Sequence, residues 1–452
     1  MRHANFTGLI GVARGDITPP IGIFCRNWGA AKHDAAEGIH RPLTLTVLTL
    51  QETATAAPLV FVDTDLGWWA HVTFARKFRQ RLLAALELPE ERVIFAMSHT
   101  HSAPPLTEPE PQWPGGALLP LFVDKVLGVA VEMKQRALMV ARPARLEWHS
   151  GRCALATNRD LPEGKRVVSG YNPALPADDT VVVGRVTSIT GTVLATLTNY
   201  ACHPTTLAWD NKLVSPDYVG AMRETVERQT GGAPALFLQG ASGELAPRYQ
   251  YVGDVAVADA HGRELGYAVL ATLEAMEPAG QALVYAGVVE SGAPLAVWKR
   301  EPTAPATRLR AVRRVVDVPL KDWPAAAELE RQYRACPDRA LAERLRRKWR
   351  IREAIGDGAT YPLELWVWRL GDTVWLGTAG EAYSILQQRL RAQLPGHAVA
   401  WLNLINGSIG YLPPAEAYDA DIYQVWQTPF GRGCLEQLEV AAVGAARELL
   451  TA

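Results

Sequence analysis

Short apolar runs rich in β-branched residues recur along almost the whole chain, and stretches with helical periodicity separate several of them. The strand-like runs fall at 43–48, 59–63, 91–97, 181–183, 193–197, 235–238, 374–376 and 399–402. Helical stretches lie at about 70–87, 118–140, 217–230, 256–277 and 381–394. Alternating strands and helices require a sheet buried under helices, so the expected class is α/β, a mixed β-sheet core with flanking helices. No internal repeat or low-complexity linker divides the sequence, and residues 1–452 read as a single domain. The apolar runs are strand-sized, well below the roughly 20 residues of a membrane span.

One segment breaks the pattern. From 320 to 356 the chain reads as strongly charged helix, with Arg344, Arg346, Arg347, Lys348 and Arg350 close together. A solvated helical face is the first expectation, and a lid or subunit contact is the alternative. Proline-rich loops at 103–120 and 301–306 interrupt the regular elements. The formal net charge of −1 gives no electrostatic case for nucleic acid or an anionic membrane surface. Cys25, Cys153, Cys202, Cys336 and Cys434 are scattered without a Cys-x-x-Cys pair, which argues against a disulfide framework or a thiolate zinc site. The first twenty residues lack a signal-peptide core, so a cytoplasmic protein with a small-molecule partner is expected, and homo-oligomerisation stays open.

The chemistry gathers at the ends of strands. Ser98-His99-Thr100-His101-Ser102 follows the run at 91–97, and in extended backbone His99 and His101 would share one face. His203 follows the run at 193–197, with Pro204 directly after it. Glu381 follows 374–376 and is expected to open a helix, where a carboxylate also suits the helix dipole. Tyr411 sits in a glycine-flanked turn after 399–402. Two imidazoles and a carboxylate form a known catalytic zinc set with a position left for water or substrate. Of the 14 tryptophans most are expected in the core, as in Trp366-Val367-Trp368, while Trp113, Trp209 and Trp426 are candidates for a substrate cleft. Cys202 reads as a small core residue.

With these residues in place, the chain resembles the catalytic domain of the neutral ceramidase family. The landmarks run in order: GVARGDITPP at 11–20, Gly38-Ile39-His40, His99-Thr100-His101-Ser102-Ala103-Pro104, Asn158-Arg159, and Tyr171-Asn172-Pro173. They continue through 199–203, Ser215-Pro216-Asp217-Tyr218-Val219-Gly220, 243–247, Gly380-Glu381, Tyr411, Tyr418, Tyr423 and Phe430-Gly431. The resemblance implies zinc ligands at His99, His203, Glu381 and Tyr411. It also implies that His101, Arg159 and Tyr423 surround the reacting carbonyl. Two departures stand out: Ala246 occupies the place of the serine proposed as nucleophile in the family, and the chain ends soon after Gly431. No equivalent of the family's C-terminal β-sandwich domain is therefore expected.

The leading expectation is a Zn²⁺-dependent hydrolase that cleaves an amide (N-acyl) bond by metal-activated water, on a substrate smaller or more polar than ceramide. His101 would move the proton, and Arg159 with Tyr423 would stabilise the oxyanion. Tyr411 would be a weak or displaceable ligand. A second reading keeps the zinc but takes a carbohydrate, cyclitol or ester substrate. A glycosidase needs paired carboxylates, for which Asp63, Asp65, Asp210, Asp217 and Glu244 are available. A third reading is a non-catalytic binding protein.

Overall fold

A computed structural model of the protein describes residues 3–451. Eight strands form one large mixed sheet: β1 (Ala4–Asp16), β2 (Thr44–Gln51), β3 (Leu59–Thr64), β4 (Val93–Met97), β5 (Arg142–Arg152), β6 (Thr180–Ser188), β7 (Val193–Tyr200) and β8 (Ala235–Gln239). Their order is β8-β7-β6-β5-β1-β2-β3-β4. The interior pairings are antiparallel, but the outermost pair at each end, β7/β8 and β3/β4, is parallel. A parallel pair needs a crossover. Helix α1 (Val72–Leu86) supplies it between β3 and β4, and α3 (Tyr218–Gln229) supplies it between β7 and β8, with α2 (Leu119–Val140) lying between them in the sequence. Helix α4 (Val255–Glu274) follows β8, and then a hairpin of β9 (Gln281–Glu290) and β10 (Pro294–Pro302) stands off the body with Val288, Val289, Leu295 and Trp298 exposed.

A second sheet contains β11 (Leu309–Pro319), β12 (Thr360–Leu370), β13 (Thr373–Thr378) and, beyond the short strand β14 (Gly380–Ala382), β15 (Ala398–Leu402). Here too the last pair, β13/β15, is parallel. The segment at 320–356 yields two helices, α5 (Ala326–Ala335) and α6 (Arg339–Ile355), and α7 (Ser384–Gln393) crosses from β14 to β15. The short strand β16 (Gly410–Leu412), the single-turn helix α8 (Tyr423–Gln427) and α9 (Cys434–Thr451) complete the chain.

Layering follows from side-chain alternation. Val60 and Val62 on β3 pack with α1 and α2, while Leu59 and Phe61 point the other way, into a core shared with Trp366, Trp368 and Trp375 of the second sheet. The tryptophans expected in the core are there, fully buried. Helices α7 and α9 cover the outer face of the second sheet, and α3 and α4 cover β6 to β8. The result is an α/β/β/α sandwich, whose inner strands are apolar on both faces because both are buried.

Polar ties bring the ends of the large sheet together. Arg223 on α3 donates to Asp63 at 2.7 Å and pairs with Asp65, and Asp63 also accepts the Phe237 amide of β8 at 3.0 Å. Asn199 on β7 donates to the Leu238 and Trp401 carbonyls at 2.9 and 2.8 Å. Asn406 accepts the Phe95 amide at 2.8 Å and donates to the Val93 carbonyl at 3.1 Å. The carboxyl ends of β4, β7, β13 and β15 are thereby gathered on one side of the molecule. Among the described residues, no helix is long and apolar enough to cross a membrane.

Candidate metal centre and clefts

Each of the four candidate ligands follows a strand of a parallel pair. His99 lies two residues beyond β4 and His203 three beyond β7. The His-x-His does not run extended, as the sequence suggests: His99 has φ of 72°, in the left-handed region, and the turn rather than the strand directs its ring. The two imidazoles converge all the same, with centroids 4.9 Å apart. Glu381 also departs from expectation. It does not open a helix, since α7 starts at Ser384; it sits in β14, paired in parallel register directly with Tyr411 on β16. A register pair places both side chains side by side on one face, which a helix start would not do.

The tautomers follow from the hydrogen bonds. His99 Nδ1 lies 2.9 Å from the Gly67 carbonyl, and His203 Nδ1 lies 2.6 Å from that of Ser242. Carbonyls only accept, so both Nδ1 atoms donate to them and both Nε2 atoms are left facing the cluster. A Cβ at position 67 would meet the Thr100 carbonyl at 2.4 Å, so glycine is needed for this close approach. The Nε2 atoms of His99 and His203 face Oε2 of Glu381 at 3.3 and 3.1 Å. Burial and the Arg159 charge pull His203 down to about 3, so it is neutral at ordinary pH. Burial works against charge on Glu381, but the facing imidazoles overcome it and hold the carboxyl well below its usual range. Two imidazole Nε2 atoms and a carboxylate oxygen thus converge in a buried site. Such a donor set fits a divalent cation of zinc type. Burial and Glu381 push the Tyr411 phenol well above its ordinary value.

The three proton-handling and oxyanion candidates surround this cluster. His101 is wedged between Trp68 and Trp28, with ring centroids at 4.7 and 4.9 Å, and neither of its buried ring nitrogens has a hydrogen-bond partner. Its nitrogens also lie close enough to those of His99 and His203 for the three to share a metal. Burial and the two neighbouring imidazoles favour its neutral form. Arg159 is buried and donates from Nη2 to the Gly243 carbonyl at 2.7 Å and the Tyr411 hydroxyl at 3.3 Å, beside His203 Nε2 at 3.4 Å. Tyr423 stands edge-on to Tyr411 at 5.6 Å. All seven predicted site residues therefore meet in one place.

Two clefts open from the cluster. The inner one, about 120 Å³, is lined by His99, His101, Glu381, Trp68 and Tyr411, among others. The outer one, about 650 Å³, is lined by Arg159, Trp28, Trp209, Tyr251, Trp426 and Tyr423, among others. Trp209 and Trp426 fulfil the cleft expectation. Trp113 does not: it packs behind the wall against Phe24 and under the Arg26 guanidinium, 4.6 Å from its ring. Trp28, Trp68 and Tyr251 were not anticipated, although Trp28 in Arg26-Asn27-Trp28-Gly29 and Trp68 after Gly67 both carry a glycine-turn signal.

The charged segment is the largest correction. Helix α6 is not a solvated face: it roofs both clefts with Glu343, Arg346, Arg347 and Arg350. Arg350 pairs with Glu110 at 2.6 Å, and Arg347 donates to Glu343 at 3.1 Å and to the Asn27 carbonyl at 3.2 Å. Buried Arg352 donates to the Trp323 carbonyl at 3.1 Å.

The proposed glycosidase carboxylates are engaged elsewhere. Asp63 and Asp65 hold Arg223, Asp217 accepts the Leu207 and Tyr218 amides, and Glu244 accepts the Ser384 amide and hydroxyl. None of these, nor exposed Asp210, lines either cleft. Ser242 is buried with its hydroxyl on Gln239 Nε2 at 2.6 Å, and Cys202 is a core residue whose thiol burial pushes well up.

No protein-family profile matches the sequence, and no curated protein sequence is similar to it. Solved structures are. The chain superposes on the crystal structure of neutral ceramidase from Pseudomonas aeruginosa with a TM-score of 0.69 and 18% identity, over 99% of this chain and 75% of that one. A ceramidase complexed with C2 gives 0.68 and 18%, over 99% and 76%. The fold is that of neutral ceramidase, in a shorter chain.

Proposed function

We propose that this chain is a zinc-dependent hydrolase that cleaves an amide (N-acyl) bond in a substrate smaller or more polar than ceramide. One observation carries the reading: Nε2 of His99, Nε2 of His203 and Oε2 of Glu381 converge in a buried site, with both Nδ1 atoms held by backbone carbonyls. Those three side chains, with Tyr411 as a weaker fourth, would hold the ion. Zinc in such a site polarises a carbonyl and lowers the pKa of water toward neutrality.

The remaining steps belong to the protein's own groups. His101, neutral and unpartnered, accepts a proton from the attacking water and returns it to the leaving amine. Arg159 is held by Gly243 and Tyr411 before substrate arrives, so its guanidinium faces the developing oxyanion without reorganisation, and the Tyr423 hydroxyl assists it. Ala246 has no nucleophilic atom and Ser242 is tied to Gln239, which favours direct attack by water. Glu381 lacks a carboxylate partner across the cluster, so the reading favours amide or ester over glycosidic cleavage. A screen of chromogenic N-acyl, ester and glycosidic substrates with the purified protein tests this. Chelator-sensitive release from N-acyl compounds is expected; release from glycosides alone would overturn it.

A further inference from the structure

We infer that the substrate carries an oxyanion, a carboxylate or phosphate, and that Arg344 and Arg347 of α6 select it. The inference rests on the hydrolase reading for its context but not for its evidence. Residues three apart on a helix share a face, and Arg344 and Arg347 both line the outer cleft, while Arg346 and Arg350 line the inner one.

Carboxylates are too few to neutralise them. Glu343 is shared between Arg346 and Arg347, each at 3.1 Å, with Arg26 at 3.7 Å. Glu110 takes Arg350 at 2.6 Å and Arg346 at 3.8 Å. Among the described residues Arg344 has no carboxylate in ion-pair range; its guanidinium lies 3.6 Å from the centre of the Trp426 ring. On the floor of the cleft, Arg159 bonds only neutral oxygens at hydrogen-bond distance. The sole other acid lining the outer cleft is exposed Asp421.

Arg344 is exposed at the cleft and without a carboxylate, and Arg347 beside it shares its one carboxylate with Arg346, so the pair is free to take up an entering anion. The planar fork of arginine is matched to carboxylate and phosphate oxygens. Beside this cationic wall, Trp28, Trp209 and Tyr251 form a mutually packed aromatic surface, with ring centroids 5.7 to 6.0 Å apart, suited to an acyl group. An uncharged amide would leave Arg344 with no carboxylate and Arg347 with only its shared one, so charge on the substrate discriminates for entry.

The test uses the metal-containing protein and probes it cannot cleave: heptanoate, hexyl phosphate and hexanol, titrated calorimetrically. Both anions, or one of them, should bind at least about tenfold more tightly than hexanol. Whichever anion binds more tightly identifies the charged group as carboxylate or phosphate. Arg344→Gln and Arg347→Gln should each weaken anion binding about fivefold or more, with metal content unchanged. Equal binding of anions and hexanol, or anion binding indifferent to both substitutions, overturns the inference. A parallel comparison of kcat/KM for N-hexanoylglycine and N-hexanoylethanolamine separates the two readings. Turnover of both without charge preference contradicts the inference alone. Failure to cleave either, with anion binding and its loss in the variants intact, contradicts the hydrolase reading and leaves the inference standing.

Discussion

The roles of individual residues are separated by what each ring or head group already touches. His99 and His203 each give one nitrogen to a backbone carbonyl and aim the other at Glu381, whereas His101 gives neither of its nitrogens to the protein. In the proposed mechanism that difference separates ligand from proton carrier more sharply than the His-x-His spacing does. Arg159 is the residue whose substitution should report on the oxyanion. Arg159→Met should lower kcat by about 10²–10³-fold while sparing the bound metal; metal analysis beside steady-state kinetics checks both, and loss of metal would mean the arginine holds the ligands in place. Residue identities at the site were legible because imidazole, carboxylate and guanidinium groups stand out where they interrupt apolar runs. The conformation at His99 was not, since a left-handed residue other than glycine or asparagine leaves no local signal. Nor were Trp28, Trp68 and Tyr251, whose role depends on which loops meet.

Among the elements, α6 matters most for access to the site. Its sequence shows charge at helical spacing, and charge at that spacing reads equally well as a solvated face or as a set of ion pairs. Only the partners decide, and Glu110 and Asn27 lie far from it in the chain. Glu110 anchors the helix to the body. Burial alone would raise its carboxyl, but the nearby His71 ring, at 3.8 Å, and the Arg350 and Arg346 guanidinium groups outweigh that and pull it from 4.5 down to about 2. A depressed folded-state value means the stabilisation is present above about 4.5 and is lost as pH falls toward about 2. Protection of α6 amides from exchange, relative to the other helices, should therefore fall over that acid interval. Glu110→Gln should give fast exchange at neutral pH too and destabilise the protein by about 2 kcal/mol, less than full burial of the pair would imply. Unchanged relative protection of α6 across that pH interval in the unsubstituted protein would show that the helix is held by other contacts. Strands and long helices were legible from periodicity, but β14 was not: three residues are too few for a pattern, and Glu381 beside the Ser384 helix start imitates an N-terminal acid.

Across the whole molecule, the site exists because two sheets are set face to face with the carboxyl ends of their parallel strands on the same side. His99 and His203 come from opposite ends of the large sheet, and Glu381 and Tyr411 from the short strands β14 and β16 beyond the small one. The α/β class followed from the alternation of strands and helices, while the pairing of two sheets did not, because a strand buried on both faces reads alike beneath helices or beneath another sheet. The seven site residues lie between 99 and 423, so their meeting is a property of the entire fold and a sensitive gauge of it. The most direct measurement is the metal content of the purified chain and of its His99→Ala, His203→Ala and His101→Ala forms, by elemental analysis with activity measured on the same samples. The account predicts about one zinc per chain, lost together with activity in the first two variants, and retained with slowed turnover in the third. A His203→Ala protein with its full zinc and full turnover would contradict it.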